Sequence, residues 1–286
     1  TRTRFRSRNL RQYSKNAAIF ILRRRSCIEA VFSGKNNTDG AERSAHGCNK
    51  THGRQKMSEI INTATIKAVI FDLDGTLADT INSIKDGLNL ALDEYGYPQK
   101  TYEDVRRGIG NGARLLVERT LPADAARDEK KVADVLAAFG EKYGLTYTNC
   151  RECYAGIPEA VMLLKSRGIM LGVLSNKIDR MTVGLIERLF PAGTFGFVRG
   201  QTELPTNPEP TVPLMAAKAL GAAPSECAFV GDSEVDVRTA KNAGMLSVGV
   251  SWGYRGREVL SVEGADIIID RPEELCGLFG IRADRY

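Results

Sequence analysis

Two carboxylates one residue apart, Asp72 and Asp74, offer the first chemistry in this chain. They follow an apolar run from Ala68 to Phe71, which predicts a buried parallel strand. Alternate residues of an extended segment point the same way, so both acids can reach beyond the end of that strand, where open α/β sheets bind ligands. Two like charges there are unfavourable unless they bind a cation or an anionic reaction centre together with its metal. The alternative interpretation is an acidic turn that is exposed to solvent.

Polar residues also follow two later apolar runs. Ser175-Asn176-Lys177 comes after Val173-Leu174, and Gly231-Asp232-Ser233-Glu234-Val235-Asp236 comes after Phe229-Val230. Between them lies a loop punctuated by prolines, Pro205 to Pro210, which contains Asn207. Such residues suit a phosphate-and-metal site, although Ser175 and Asn176 alone would also suit a helix N-cap.

The elements that must position these residues alternate along most of the chain. After the first strand, further strands are predicted at 169–174, 195–198, 227–230, 246–250 and 265–269. Helices are predicted at 157–167, 179–189, 212–220, 235–243 and 272–279. Strands separated by helices predict right-handed βαβ units and an α/β fold, a Rossmann-like three-layer core with a mainly parallel sheet.

A helical block interrupts this alternation after the first strand. Helical spacing of apolar residues covers 81–94, 101–121 and 128–143. We therefore predict an inserted all-helical cap domain over 81–150, with the α/β core formed by 66–80 and 151–286.

The first 56 residues differ in composition from the rest. They carry fourteen Lys or Arg against three acids, whereas residues 57–286 have a net charge of −6. Three origins fit this basic segment: translated upstream sequence or a cloning remnant before a start at Met57, an organellar transit peptide, or a disordered basic arm. We favour the first and expect a cytoplasmic protein, with organellar targeting left open. The acidic remainder gives no reason to expect nucleic-acid or membrane binding.

Histidine and cysteine usage excludes several chemistries. The two histidines, His46 and His52, both precede Met57, so the predicted domain has no Ser-His-Asp triad and no histidine-ligated metal. Acid–base chemistry must then use carboxylates, Lys, Tyr or Cys. Cys150 and Cys153 are spaced as Cys-x-x-Cys, but without a second pair we interpret them as reduced thiols in a linker.

Residues 66–286 resemble the haloacid dehalogenase (HAD) superfamily of phosphohydrolases. The resemblance lies in four signatures in their usual order: Asp72-x-Asp74-Gly-Thr76, a small hydroxyl residue after the second strand, the Pro-rich loop, and Gly231-Asp232-x-x-x-Asp236. Within the superfamily the chain is most similar to phosphoglycolate phosphatases. That finer similarity is carried by the stretches 107–113, 231–237, 239–245 and 249–254.

The resemblance implies a role for each signature residue. Asp72 would be the nucleophile that forms an aspartyl-phosphate, and Asp74 would protonate the leaving alcohol and later activate water. Mg²⁺ would be held by Asp72, the Asp74 backbone carbonyl and Asp232. The resemblance also implies that Ser175 and the Asn176 backbone N–H bind phosphoryl oxygens. Asp236 and Thr76 would lie behind the residues that contact the metal and the phosphoryl group.

One position departs from the pattern of the superfamily. The residue before Pro208 is usually a lysine that neutralises the phosphoryl group, and here it is Asn207. Loss of such a group costs about 10²–10³ in rate. Asn207 can still donate a hydrogen bond, and we hypothesise that Lys177 substitutes for the missing charge because it follows the same strand end.

Two further residues bear on the substrate. Arg114, in the predicted cap, is a candidate ligand for a substrate carboxylate, although solvated helical arginines are common. Trp252 follows a strand and is expected either to border the site or to pack under a loop. The resemblance, together with these residues, implies a Mg²⁺-dependent phosphatase of a small phosphorylated metabolite, with 2-phosphoglycolate the first candidate. We expect it to act as a monomer or homodimer. The alternatives are another phosphoester or pyrophosphate hydrolase, or a catalytically weakened phosphate-binding paralogue.

Overall fold

The computed structural model describes residues 63–281, so the predictions about residues 1–56 lie outside the described part. Its strands are β1 (Ala68–Phe71), β2 (Met170–Ile178), β3 (Phe197–Gln201), β4 (Cys227–Gly231), β5 (Leu246–Val250) and β6 (Ile267–Ile269). They form one parallel sheet in the order β3-β2-β1-β4-β5-β6. The predicted parallel α/β core is therefore confirmed, with β1 in the interior of the sheet.

Helices connect these strands and also follow β1. Their bounds are α1 (Ile81–Glu94), α2 (Tyr102–Gly108), α3 (Ala113–Thr120), α4 (Glu129–Thr146), α5 (Ile157–Ser166), α6 (Asp179–Leu189), α7 (Thr211–Ala219), α8 (Glu234–Ala243), α9 (Gly256–Glu263) and α10 (Glu274–Leu278). Within residues 63–281 no helix combines the length and apolar character needed to cross a membrane.

The two faces of the sheet are each covered by helices because alternate strand residues point to opposite sides. On one face, Val69 and Phe71 pack in a cluster that includes residues of α5 and α6. On the other face, Ala68 and Ile70 pack against residues of α7 and α8. Since all four residues of β1 are buried, the strand is a continuous apolar run rather than an alternating one.

The helices α1 to α4 pack around a separate hydrophobic cluster. Leu88 and Leu92 of α1 lie in it together with Val135 and Phe139 of α4, as the helical spacing requires. The helical block therefore has its own apolar centre. The domain bounds drawn from the sequence, 81–150 for a cap, stay a prediction.

The predicted helical stretch 101–121 is two helices rather than one. The chain leaves α2 at Gly108 and enters α3 at Ala113. Gly110 and Gly112 between them have φ angles of +113° and +89°, which an L side chain rarely adopts and glycine adopts freely. The glycines therefore make a turn where the apolar spacing indicated a continuous helix.

Strand β2 and helix α9 also differ from the sequence prediction. Strand β2 continues to Ile178, so Ser175 and Asn176 lie in the strand and the N-cap of α6 is Ile178. The N-cap role considered for Ser175 and Asn176 is therefore wrong. Helix α9, between β5 and β6, was missed because its eight residues are mostly exposed and bury only Leu260.

Candidate active site

The C-terminal ends of β1, β2 and β4 bring the predicted site residues together. Phe71, the last residue of β1, is in register with Val173 of β2 and Val230 of β4. The backbone N–H of Asp72 then donates to the Val230 carbonyl at 2.9 Å. A cavity lies at this edge, and its lining includes Asp72, Asp74, Ser175, Asn176, Lys177, Asn207, Asp232, Asp236, Tyr254, Arg255 and, from the helical block, Ile84, Ile109, Leu116, Phe139 and Tyr143.

Three buried carboxylates cluster in this cavity. One oxygen each of Asp72, Asp232 and Asp236 lies within 4.8 Å of the others. Asp232 accepts hydrogen bonds from the Tyr254 backbone N–H at 2.6 Å and from the Thr76 hydroxyl at 3.4 Å. These contacts fix the orientation of the Asp232 carboxylate within the cluster.

Asp236 is held by the start of helix α8. Its Oδ2 accepts from the backbone N–H of Ser233 at 2.9 Å and from the Ser233 hydroxyl at 2.6 Å, which forms a capping box. Gly231, at the end of β4, has no room for a side chain, because an added Cβ would lie 2.2 Å from the Asp236 side chain. The Gly231-Asp232-x-x-x-Asp236 spacing thus serves both the helix start and the cluster.

Burial and mutual repulsion disfavour the state in which all three carboxylates are ionised without a bound cation. Burial, followed by the charges of Asp236, Asp74 and Asp232, raises the pKa of Asp72 well above its usual range. Burial and then Asp236 raise the pKa of Asp232 to about 8. Burial also raises the pKa of Asp236 to about 6. A bound cation would stabilise all three charges.

The chemistry of the cluster fits a hard divalent cation such as Mg²⁺. The available donors are carboxylate oxygens, which Mg²⁺ prefers, and they come from the ends of two strands and the first turn of α8. Asp72 and Asp232 belong to the predicted metal set. Asp236, predicted only as a supporting residue, also brings its carboxylate into the cluster.

Asp74 faces a different partner. Its Oδ1 accepts from the Lys177 ammonium at 2.7 Å and from the Thr80 hydroxyl at 2.6 Å. The Lys177 Nζ also lies 4.8 Å from the ring centroid of Tyr143. Burial alone would lower the pKa of Lys177, but Asp74 and then Tyr143 raise it above the usual lysine value, so this buried lysine stays charged.

The predicted substitute cation is therefore in the cavity, beside the proposed acid–base group. Its ion pair is with Asp74 and not with Asp72, Asp232 or Asp236. The substitution of Lys177 for the missing lysine at position 207 stays a prediction. Lys177 lies beside the carboxylate that would protonate a leaving group.

Asn207 is buried and lines the cavity, after which a cis peptide bond leads to Pro208. Its backbone N–H donates to Oδ1 of Asn176 at 2.9 Å. The Asn176 Nδ2 donates to the carbonyls of Asn207 at 3.1 Å and Gly110 at 2.9 Å. The Asn176 side chain therefore connects the loop that contains Asn207 with the turn that contains Gly110. The predicted phosphate contact of Asn176 would be made by its backbone N–H.

The remaining predicted residues are placed as follows. Ser175 is buried on the cavity wall, and its Oγ accepts from the Lys177 backbone N–H at 3.3 Å. Trp252 donates from Nε1 to the Thr76 carbonyl at 3.1 Å and packs partly buried against the core cluster that contains Phe71. The Cys150 and Cys153 thiols are free.

Arg114, a candidate ligand for a substrate carboxylate, is not among the residues that line the cavity. Its guanidinium pairs with Glu118 at 2.8 Å and with Glu129 at 2.6 Å, and its side chain is 45% exposed. The arginine that does line the cavity is Arg255, which was not predicted as a site residue. Its only sequence signal is its position just after the Trp252–Tyr254 stretch that follows β5.

Tyr143 and Tyr254 were missed as well. Tyr143 lies on α4 in a run of helical apolar spacing, which indicates a core position and nothing more. The Tyr254 hydroxyl accepts from the Thr80 backbone N–H at 2.9 Å, a contact between residues 174 apart in the sequence. Its backbone N–H meanwhile fixes Asp232. No local pattern predicts such contacts.

Comparison with known proteins identifies the family. The family model of haloacid dehalogenase-like hydrolases matches residues 69–250. Phosphoglycolate phosphatase 1 of Pseudomonas aeruginosa is 32% identical over 73% of this chain and 78% of its own length. A phosphoglycolate phosphatase of Chromobacterium violaceum is 31% identical over 76% of this chain and 98% of its own.

A solved structure agrees with this fold. A predicted phosphoglycolate phosphatase from Haemophilus somnus superposes with a TM-score of 0.69 at 28% identity, covering 75% of this chain and 98% of that one. The chain therefore belongs to the haloacid dehalogenase-like hydrolases. Within them it is a phosphoric monoester hydrolase, similar to phosphoglycolate phosphatases.

Proposed function

We propose that this protein is a Mg²⁺-dependent phosphatase of a small phosphorylated metabolite, with 2-phosphoglycolate the first candidate, and that it acts through an aspartyl-phosphate. The observation that carries the proposal is the position of Asp72. It is buried at the end of β1, beside two further carboxylates that suit a cation and near an acid–base residue that faces the same cavity. The names of the relatives suggest the substrate.

The first half of the reaction uses the two aspartates in sequence. A carboxylate oxygen of Asp72 attacks phosphorus, and the bond from phosphorus to the leaving oxygen breaks. Asp74, which accepts from the Lys177 ammonium in this structure and must therefore take up a proton before this step, gives that proton to the leaving oxygen, so the product leaves as an alcohol. Mg²⁺, held by Asp72 and Asp232 with the Asp74 carbonyl or Asp236, would neutralise the phosphoryl charge that otherwise repels the nucleophile.

The second half restores the enzyme. Asp74, now ionised, takes a proton from a water molecule, whose oxygen attacks phosphorus and releases Asp72 with inorganic phosphate. The Ser175 hydroxyl, the Asn176 backbone N–H and the Asn207 amide would donate to phosphoryl oxygens during both steps. The absence of histidine from residues 57–286 supports this division of labour, because few other acid–base groups are available.

Two alternatives remain. A different phosphoester or pyrophosphate could be the substrate, since the phosphoryl-binding residues would be the same. A catalytically weakened paralogue that binds phosphate compounds is favoured by one observation, the neutral Asn207 on the cavity wall. In either case we expect a monomer or homodimer without nucleic-acid or membrane partners.

A phosphate-release screen separates these functions. Purified protein is incubated with Mg²⁺ and with 2-phosphoglycolate, sugar phosphates or pyrophosphate, with a metal-chelated sample as the control. Release from 2-phosphoglycolate above the other compounds supports the proposal. Release from another compound alone corrects the substrate, and a folded protein that releases phosphate from none of them contradicts the enzymatic function.

A further inference from the structure

We propose that the Lys177 ammonium and the Tyr143 hydroxyl form an anion subsite that binds a carboxylate on the leaving group. The leaving group of 2-phosphoglycolate, the substrate proposed above, carries such a carboxylate. This inference rests on the proposed phosphatase function and adds to it the residues that select the leaving group.

The first observation is the position of a buried charge. Lys177 is 7% exposed, and its ion pair is with Asp74 at 2.7 Å. The same Asp74 oxygen, Oδ1, also accepts from the Thr80 hydroxyl at 2.6 Å. An ammonium has three donors, and one of them is used by Asp74. The cation therefore keeps donors for a ligand in the cavity.

The second observation is a buried hydroxyl without a well-formed hydrogen bond. Tyr143 is 2% exposed, and its hydroxyl interacts with Lys177 and Ser83 without forming a well-aligned hydrogen bond to any described residue. Leaving such a group unsatisfied is unfavourable, and native structures seldom do so without a ligand or a bound water. Tyr143 lines the same cavity as Lys177, whose Nζ lies 4.8 Å from its ring centroid. Two donors thus lie on one side of the cavity.

Among the described residues that line the cavity, no other group offers an equal site for a second anionic group. Arg255, another cation of the lining, donates to the carbonyls of Arg106 and Ile109 at 2.6 Å each, and its Nε faces Glu234 at 3.4 Å. Toward the helical block the wall is apolar, formed by residues that include Ile84, Leu116 and Phe139. A charge on the leaving group would therefore be bound at Lys177, where the apolar wall strengthens the attraction.

The geometry also sets where that charge must lie in the substrate. Asp74 has to reach the leaving oxygen to protonate it, and Lys177 touches Asp74. A carboxylate on the carbon next to that oxygen would then lie within reach of the ammonium. A carboxylate several carbons away would meet the apolar wall instead.

The test compares two substrates of similar size that differ in charge. The quantity measured is the ratio of kcat/KM for 2-phosphoglycolate to that for 2-hydroxyethyl phosphate. Lys177→Met is expected to lower this ratio about 10–100-fold, the effect of one charged hydrogen bond, and Tyr143→Phe about 10-fold. Lys85→Met on α1, outside the cavity lining, is the matched control and is expected to leave the ratio unchanged.

Equal losses for both substrates in Lys177→Met would overturn the subsite, since they would mean that Lys177 acts on the phosphoryl group or only on Asp74. Calorimetric titration with glycolate gives a second result that does not depend on turnover. Glycolate is expected to bind the parent and to bind Lys177→Met at least about 10-fold more weakly. Identical glycolate binding by the two proteins overturns the subsite. If Lys177→Met binds glycolate more weakly but the parent turns over no substrate, only the phosphatase function is contradicted.

Discussion

The side-chain nitrogen of Asn176 lies 2.9 Å from the Gly110 carbonyl, so a residue of β2 binds the turn between α2 and α3. The same nitrogen donates to Asn207, and the side-chain oxygen accepts from the Asn207 N–H. Arg255 donates to two further carbonyls near this turn, those of Arg106 and Ile109. These contacts hold the glycine-containing turn at the cavity.

Replacing Asn176 by Asp tests this contact. The variant keeps an acceptor for the Asn207 N–H but turns a carboxylate oxygen toward two carbonyls, which is repulsive. We expect KM to rise about 10-fold or more and kcat to fall, because the part-buried amide donor is lost and the carbonyls of Gly110 and Asn207 lose their hydrogen bonds to it. Steady-state kinetics with the turned-over substrate measures both constants.

Asn89 provides the matched control for that substitution. Its side chain makes a similar pair of contacts with the backbone, donating to the Lys100 carbonyl at 3.0 Å and accepting from the Lys100 N–H at 2.7 Å. Asn89→Asp should lower the free energy of unfolding without changing KM. Equal effects of the two variants on KM would show that the Asn176 contact is a matter of stability alone.

Much of this arrangement could be predicted from local sequence. Asp72 and Asp232 each follow a short apolar run, and parallel strands bring such positions to one edge of the sheet. Asp236 lies three residues after Ser233 at the start of a helix, which local spacing also indicates. Short apolar runs and the polar residues after them therefore suffice to locate the buried strand, the candidate nucleophile and its neighbouring acids.

The remainder depends on tertiary contacts that no spacing describes. Lys177 follows Ser175 and Asn176 in the sequence, but the sequence does not determine which group its long side chain contacts. In the structure it forms an ion pair with Asp74. Arg114 has acidic neighbours, Glu118 and Glu129, that compete for it at the surface. The cavity-lining Arg255 is positioned by backbone carbonyls of a distant turn, which carry no sequence signal.

Restoring the usual lysine at position 207 should accelerate the reaction. Asn207→Lys would add a cation to a wall shared with Asp72 and Asp236, where it can stabilise charge on the phosphoryl group. We expect kcat to rise about 10–100-fold, and Asn207→Met, which adds length without charge, to give no gain. Single-turnover and steady-state kinetics check this, and a Lys variant no faster than the Met variant would show that the site does not need the missing charge.

The carboxylate cluster predicts a pH-dependent stability in the absence of metal. The folded-state pKa values of Asp232 and Asp236 are about 8 and about 6, both raised from the usual aspartate value, with burial the leading cause. A raised carboxyl pKa means that the folded protein holds protons that the unfolded chain releases. Its stabilising contribution is thus complete below about pH 4 and is lost as the pH rises through about 6 to 8.

Urea denaturation of the metal-chelated protein between about pH 5 and about pH 8 measures this loss, which we expect to be a few kcal/mol in the free energy of unfolding. Saturating Mg²⁺ should remove most of the slope, because the cation stabilises the ionised cluster. Asp236→Asn should flatten the slope in the chelated protein. A slope unaffected by both Mg²⁺ and Asp236→Asn would exclude the cluster as its source.

The rate of phosphate release from 2-phosphoglycolate with Mg²⁺, compared between the parent and Asp72→Asn, tests the proposed mechanism at its first step. The substitution keeps the shape of the side chain and removes one of three crowded charges, so the variant should fold and be at least as stable as the parent. We expect release by the variant to fall by about 10³-fold or more, because no carboxylate remains to attack phosphorus. A folded Asp72→Asn protein that releases phosphate at the parent's rate would contradict the mechanism.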